Sequence, residues 1–504
     1  MNYHALHLCV ERLRLLGVRA LVGGGGELVV GHGWPRYVAR DQQKLRGLRD
    51  LLLHERRETK EEAPAVKSRH FTPHITLVRM MSRAVGSLRR TTRNSAIARR
   101  LSTSSWTFAT TSKLVCEPGG TSRLGEILQS LGGSRVMLVT DGGVYGAGLC
   151  DAAIDSLDAA GLFTVLHGET VADPPESLVL EAAALARDEK VDAVVGLGGG
   201  SSMDVAKLVA LLAHPDCAQP LAEMYGVGMA RGKRLPLVQV PTTAGTGSEV
   251  TPISILTTGA AEKKGVVAEV LLPDVAVLDG DLTLSLPPHV TAATGIDAMV
   301  HAIEAYTSRV RKNPLSDALA REALRLLAGN IHHVCDPAKT GDKGKGERKA
   351  RRERAEVREA RSSMLLGSAL AGMAFANAPV AAVHALAYPL GAHFHVPHGL
   401  SNSLMLPHVL DFNAADDTAA ELYAELAPIV CTGKALRTGA RALVSRLAEL
   451  PHEVGLPTTL RDVGVAKGDL GMLASEAMKQ TRLLPNNPRE VALRDAEALY
   501  RAAF

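Results

Sequence analysis

The chain has 504 residues, 22% charged and 46% hydrophobic, a composition that suits two to four packed domains. No apolar run approaches the roughly 18 residues of a membrane-spanning helix. Six scattered cysteines without a CxxC pair exclude a disulfide scaffold or thiolate zinc knuckle and point to a reducing compartment. The net charge of +4 is unevenly placed: residues 1–111 hold 20 Lys and Arg against 8 Asp and Glu, or +12, which leaves −8 on the rest. The basicity belongs to the head, and no nucleic-acid partner is expected for the main body.

Residues 1–79 read as an extra α+β fragment. A glycine run, Gly23 to Gly26, and a mixed-charge stretch over residues 54–62 lead into Arg69-His70-Phe71-Thr72-Pro73-His74-Ile75-Thr76-Leu77. Apolar and polar residues alternate there as in a strand. The stretch resembles the second histidine motif of the two-histidine phosphoesterases, the RNA ligase/cyclic phosphodiesterase family, which need two such motifs on opposed strands. On one strand His70 and His74 stand roughly 13 Å apart and cannot clamp one phosphate from two sides. The segment is read as a relic, a fusion scar or the result of a wrongly chosen start codon. A phosphodiesterase acting on RNA ends through His74 is the remote alternative.

Residues 80–111 differ in character. From Ser82 to Ser105 there are six arginines, nine Ser or Thr and no acid, the composition of a mitochondrial transit peptide. Met80 and Met81 stand just before it. A start near Met81 predicts a mitochondrial matrix protein; otherwise the segment is a basic linker and the protein cytoplasmic.

From about Phe108 strand-type and helical stretches alternate. Residues 136–140, 191–197 and 235–240 are short, β-branched and bounded by Gly, Asp or Pro; residues 177–188 and 203–213 are amphipathic helices. This pattern predicts an α/β domain with a parallel, doubly wound sheet over residues 112–288. Beyond it the strand signal fades. Helices are expected at 290–308, 316–330, 357–374, 415–427 and 434–450, making residues 289–504 an all-helical domain. Residues 339–361, with ten basic and five acidic residues, read as an external charged insertion.

Two loops carry phosphate-type chemistry. Gly196-Leu197-Gly198-Gly199-Gly200-Ser201-Ser202-Met203-Asp204 lies where a strand ends and a helix begins. Glycines let backbone N–H groups approach a pyrophosphate, and the helix N-terminus adds unpaired donors. Pro241-Thr242-Thr243-Ala244-Gly245-Thr246-Gly247-Ser248-Glu249 repeats the arrangement after the next strand. Together they mark the ligand crevice of an α/β sheet. Asp141, after strand 136–140, can accept both adenosine ribose hydroxyls and repel a 2′-phosphate, which favours NAD over NADP; the alternative is a turn-forming Asp before Gly142-Gly143.

The helical half opens on Gly295-Ile296-Asp297-Ala298-Met299-Val300-His301-Ala302-Ile303-Glu304. Asp297 and His301, four apart, share one helix face. His384 and the cluster His393, His395 and His398-Gly399 follow. One carboxylate with three imidazoles suits Fe²⁺ or Zn²⁺ with a position left open for substrate.

These motifs, with the stretches around Pro273-Asp274 and Asn487-Pro488-Arg489, resemble the iron-containing (group III) alcohol dehydrogenases over residues 112–504. The resemblance implies a two-domain dehydrogenase with Asp297, His301, His384 and His398 as metal ligands. It implies that Asp141, Gly198, Gly199, Ser201, Asp204, Thr242, Thr243 and Ser248 line NAD, with Lys263 as a further cofactor contact. Where the family often has His-x-x-x-His, this chain has His384 and Tyr388, so the proton is expected to leave through Tyr388, His395 or a ribose relay. The expected reaction is reversible hydride transfer between a primary or secondary alcohol and NAD, giving an aldehyde or ketone. A mitochondrial hydroxyacid–oxoacid transhydrogenase is the alternative on the same fold, and a homodimer or higher homo-oligomer is the expected assembly.

Overall fold

The computed structural model describes residues 21–22, 28–29, 105–259, 262–336, 347–431 and 438–504. The chain divides into two units, Met1–Arg93 and Asn94–Phe504. In the first, Leu21–Val22 and Leu28–Val29 form a short antiparallel pair. The His74 motif, the arginines of residues 82–100 and the middle of the charged insertion, residues 337–346, lie outside the described residues.

The second unit begins with a six-stranded, all-parallel sheet. Its strands are β1 (Lys113–Cys116), β2 (Arg135–Asp141), β3 (Phe163–Thr170), β4 (Ala193–Gly198), β6 (Leu237–Pro241) and β9 (Val275–Leu278). Their order is β1-β9-β6-β4-β2-β3. Alternate residues enter opposite cores. Val136, Leu138, Val195 and Val238 pack under α1 (Leu124–Ser130) and α3 (Asp151–Ala159), while Met137, Val139, Val194 and Leu237 pack under α4 (Glu176–Asp188) and α5 (Gly200–Leu212). Burial on both faces explains why the strands read as apolar runs. Each fully buried Val or Leu contributes about 1.5–3 kcal/mol relative to exposure.

Between β2 and β4 the winding reverses direction: the chain leaves β2 for β3, then crosses back to β4. The helices after β2 and β4 lie on opposite faces, so the loops at these strand ends separate and leave a crevice. The five-residue helix α2 (Gly142–Gly146) opens one side of it. A small second sheet orders β5 (Gly226–Val227), β8 (Glu262–Val267) and β7 (Ile253–Thr258), with β7 and β8 as an antiparallel pair. This sheet was not anticipated.

The remainder is helical, from α6 (Pro288–Thr307), with proline at its first turn, to α14 (Leu493–Ala503). Between them lie α7 (Pro314–Cys335), α8 (Glu347–Asn377), α9 (Ala382–Phe394), α10 (His398–Asn413), α11 (Asp417–Val430), α12 (Ala440–Glu453) and α13 (Leu470–Ala477). Asn313 caps α7 by accepting from the Ser316 N–H at 2.9 Å. Among the described residues no single helix is long and apolar enough to cross a membrane.

The charged insertion departs from expectation. Its described half is the first part of α8. Arg358 pairs with Asp281, but Arg361 is buried, and its guanidinium donates to Thr291 Oγ1 at 2.7 Å and to the Leu286 carbonyl at 3.3 Å. The run is therefore not wholly external: the chain spends one of its arginines holding α8 to the start of α6.

Candidate functional site

The crevice and a side-chain cluster in the helical half form the site. The first is built from backbone. Gly198 has φ +156°, and a Cβ there would meet Ser202 Oγ at 2.6 Å, so only glycine lets β4 turn into α5. The N-cap of α5, Gly199, offers no side chain to the first-turn N–H groups. A row of uncapped donors at a positive helix end suits an anion such as a pyrophosphate. The Thr242 N–H donates to the Gly198 carbonyl at 2.9 Å, joining the second loop to the first, and half-buried Thr243 flanks Gly199. Ser201 stands half-buried in the first turn of α5.

Asp141 forms the turn that the sequence allowed. Its Oδ1 accepts from the N–H groups of Gly143 and Val144 at 3.0 and 2.9 Å, capping α2. Its Oδ2 lies 3.4 Å from the Ser202 hydroxyl at the mouth between β2 and β4. Two expected cofactor contacts make hydrogen bonds within the protein. Asp204 accepts from Ser248 Oγ at 2.6 Å and from the Ile255 N–H at 2.8 Å. The fully buried Lys207 ammonium donates to Ser248 Oγ, Thr251 Oγ1 and the Ile253 carbonyl at 2.7, 3.2 and 2.6 Å. Burial pushes the Lys207 pKa down and that of Asp204 up, and the charge of each opposes the other's shift. Asp204 and Ser248 thus belong to a brace that ties α5, the second loop and β7 together, because their polar atoms are already satisfied within the protein. Lys263 is half-buried and pairs with Asp173 at 2.7 Å.

The cluster joins Asp297 and His301 of α6, His384 of α9 and His398 at the start of α10, with one potential ligand atom from each lying within 4.8 Å of the others. The Nε2 atoms of His301, His384 and His398 stand 4.0, 3.9 and 3.8 Å from Asp297 Oδ1. Neighbours fix two of the rings. His384 Nδ1 lies 2.6 Å from Glu304 Oε2 and donates to it, while His301 Nδ1 donates to the Gly245 carbonyl at 3.2 Å. Both Nε2 atoms therefore present lone pairs to the centre. Burial holds His301 well below its ordinary pKa and brings His398 down to about 4, so both rings are neutral at physiological pH. Phe375 stacks on His301 at 4.4 Å. Gly399 sets the spacing, because a Cβ there would stand 2.5 Å from the Ala293 carbonyl oxygen of α6.

The donor set fits a divalent cation. Four acceptor atoms face one another, and the donor placed among them is Asn402 Nδ2, at 2.5 Å from Asp297 Oδ1 and 3.2 and 3.3 Å from two ring nitrogens. Asn402 Oδ1 is buried without a partner. Three ligands are buried, while the His398 side chain retains 36% exposure, leaving one side open.

Tyr388 reaches this open side, its ring 5.8 Å from that of His398. Burial raises its pKa and keeps the phenol protonated. His395 is exposed and in left-handed conformation, φ 55°, as the C-cap of α9, and is not among the clustered side chains. Sequence reasoning missed Glu304, Lys207 and Asn402. Glu304 alone had a local signal, lying seven residues after Asp297 on the same helix face.

A dinucleotide-type crevice opposed to a three-histidine, one-carboxylate cluster defines a metal-dependent dehydrogenase. Comparison with known proteins gives the family. Residues 111–280 match the iron-containing alcohol dehydrogenase profile, and residues 291–504 that of the Fe-containing alcohol dehydrogenase family, C-terminal. The chain is 39% identical over 380 residues to long-chain-alcohol dehydrogenase 1 of Geobacillus thermodenitrificans (strain NG80-2), covering 75% of this chain and 91% of that protein. It is 32% identical to lactaldehyde reductase of Escherichia coli (strain K12), covering 77% and 96%. Among solved structures, a 1,3-propanediol oxidoreductase superposes with TM-score 0.72 at 32% identity, covering 80% of this chain and all of the other. The sulfoacetaldehyde reductase of Bifidobacterium kashiwanohense in complex with NAD⁺ superposes with TM-score 0.68 at 27% identity, covering 79% and 99%. The chain belongs to the iron-containing alcohol dehydrogenase family and is an NAD-dependent alcohol dehydrogenase.

Proposed function

We propose that the protein interconverts a primary or secondary alcohol and its aldehyde or ketone with NAD, using Fe²⁺ or Zn²⁺ held by Asp297, His301, His384 and His398. The observation that carries this reading is the convergence of three imidazoles and one carboxylate with one side open. A divalent cation there supplies Lewis acidity, lowering the pKa of an alcohol hydroxyl, and NAD supplies the hydride acceptor. The balance is one hydride and one proton lost from each alcohol.

The chain's own residues do the rest. Glu304 and the Gly245 carbonyl hold two imidazoles in the tautomer that faces the centre. Phe375 packs against His301 and excludes water from that side. The N–H groups opening α5 suit the pyrophosphate, and Asp141 Oδ2 suits a ribose hydroxyl. Tyr388, protonated beside His398, can donate a hydrogen bond at the open side and pass a proton outward. The test is a panel of alcohols with NAD on protein reconstituted with Fe²⁺ or Zn²⁺, followed by nicotinamide absorbance. Turnover that rises with bound metal is expected; metal-independent turnover, or none, rejects the reading.

A further inference from the structure

A cavity of about 740 Å³ opens beside Tyr388 between β7 and β8, α9 and the segment following α13. Its wall is cationic: Lys263, Lys264, Lys479 and Arg482 line it against the single acid Glu476, with His393 beside them. A neutral alcohol needs no such wall. Two of these charges are already matched, Lys263 by Asp173 at 2.7 Å and Lys479 by Glu476 at 2.6 Å. Lys264 stands 6.0 Å over the Tyr225 ring.

Arg482 is different. Among the described residues no carboxylate pairs with its guanidinium. Its two terminal nitrogens lie 3.5 and 3.8 Å from where a Cβ on Gly265 would stand, so the missing side chain on β8 gives the guanidinium its place. Its charge acts on Tyr388, opposing the burial that raises that phenol. Tyr388 in turn neighbours the His398 ring. One cavity thus sets Tyr388, the neighbour of the His398 ring, beside a planar cation suited to a bidentate oxyanion.

We propose that this cavity selects alcohols and aldehydes that carry an anionic oxyacid group, a carboxylate or sulfonate, with Arg482 as the residue that binds it. The inference rests on the redox reading of the metal cluster and adds its substrate class. Nothing is transferred to Arg482: the guanidinium holds the anionic end while the carbonyl or hydroxyl end faces the cluster.

The test compares kcat/KM for a four-carbon aldehyde ending in a carboxylate with that for butanal, on the metal-loaded enzyme, in wild type, Arg482→Ala and Arg482→Lys. Calorimetric titration with succinate reads anion binding without turnover. Wild type should prefer the anionic aldehyde, Arg482→Ala should lower the preference about tenfold or more and weaken succinate binding in parallel, and Arg482→Lys should restore part of both. Butanal turnover with a ratio unmoved by Arg482→Ala overturns the anion site alone. So does a loss confined to NAD affinity, which would assign the guanidinium to the cofactor. Failure to turn over either aldehyde, with succinate still bound through Arg482, upholds the anion site and rejects the redox reading.

Discussion

The two halves of the site are made of different material. In the α/β half the ligand meets main chain: glycines, N–H groups at the start of α5, and loops held from behind by Lys207. In the helical half it meets side chains, two of the three rings aimed by a second residue. A backbone site tolerates many side chains nearby but no added Cβ. A side-chain site tolerates backbone variation but no change of ligand. The two should therefore fail separately.

The largest effect is expected at the cluster. His301→Ala should lower bound metal and cut turnover by roughly three orders of magnitude, the several kcal/mol of a Lewis acid, while NAD binding by fluorescence titration stays near wild type. Equal loss of both would mean that the halves are not separable.

The seam between the halves gives the next effect. Glu249, in the second loop, is buried with Oε1 unpartnered, and burial raises its carboxyl from 4.5 to about 7. The folded state keeps this proton to higher pH than the unfolded chain, so between those values folding stability falls as pH rises. Its contribution, up to about 3 kcal/mol, is fully present below 4.5 and gone above about 7. Urea midpoints between pH 5 and 8 should slope less steeply in Glu249→Gln than in wild type; an unchanged slope removes Glu249 as the cause.

The smallest effect tests the crevice. Gly198→Ala forces a Cβ to within 2.6 Å of Ser202 Oγ and should cost about 1–3 kcal/mol of local strain, weakening NAD about tenfold and leaving metal content unchanged. Loss of metal in this variant would contradict the contrast from the other side.

The cluster was legible in two ways: Asp297 and His301 lie four apart on one helix face, and the choice of His384 and His398 among the later histidines came from the family resemblance. The parallel sheet was legible because its central strands β2, β4 and β6 are apolar on both faces, whereas the edge strands β1 and β3 are largely exposed or half-buried. Helices α9 and α10 went unnamed for a related reason. Both are buried on most sides and carry Pro389 and Pro407, so they show little helical period. Lys207 and Asn402 were illegible because their meaning lies in approaches across long sequence separations, to Ser248 and to Asp297. The exposure of His395 was illegible because a spacing of histidines near a motif says nothing of where a helix ends in a left-handed C-cap.

Gly399 has a consequence for which ions the protein can exchange. With only hydrogen where a methylene would strike Ala293, α6 and α10 touch through main chain, and no rotamer change can widen that gap. The cage dimension between Asp297 and His398 is set by folding, before an ion arrives. Any divalent cation would meet the same ruler.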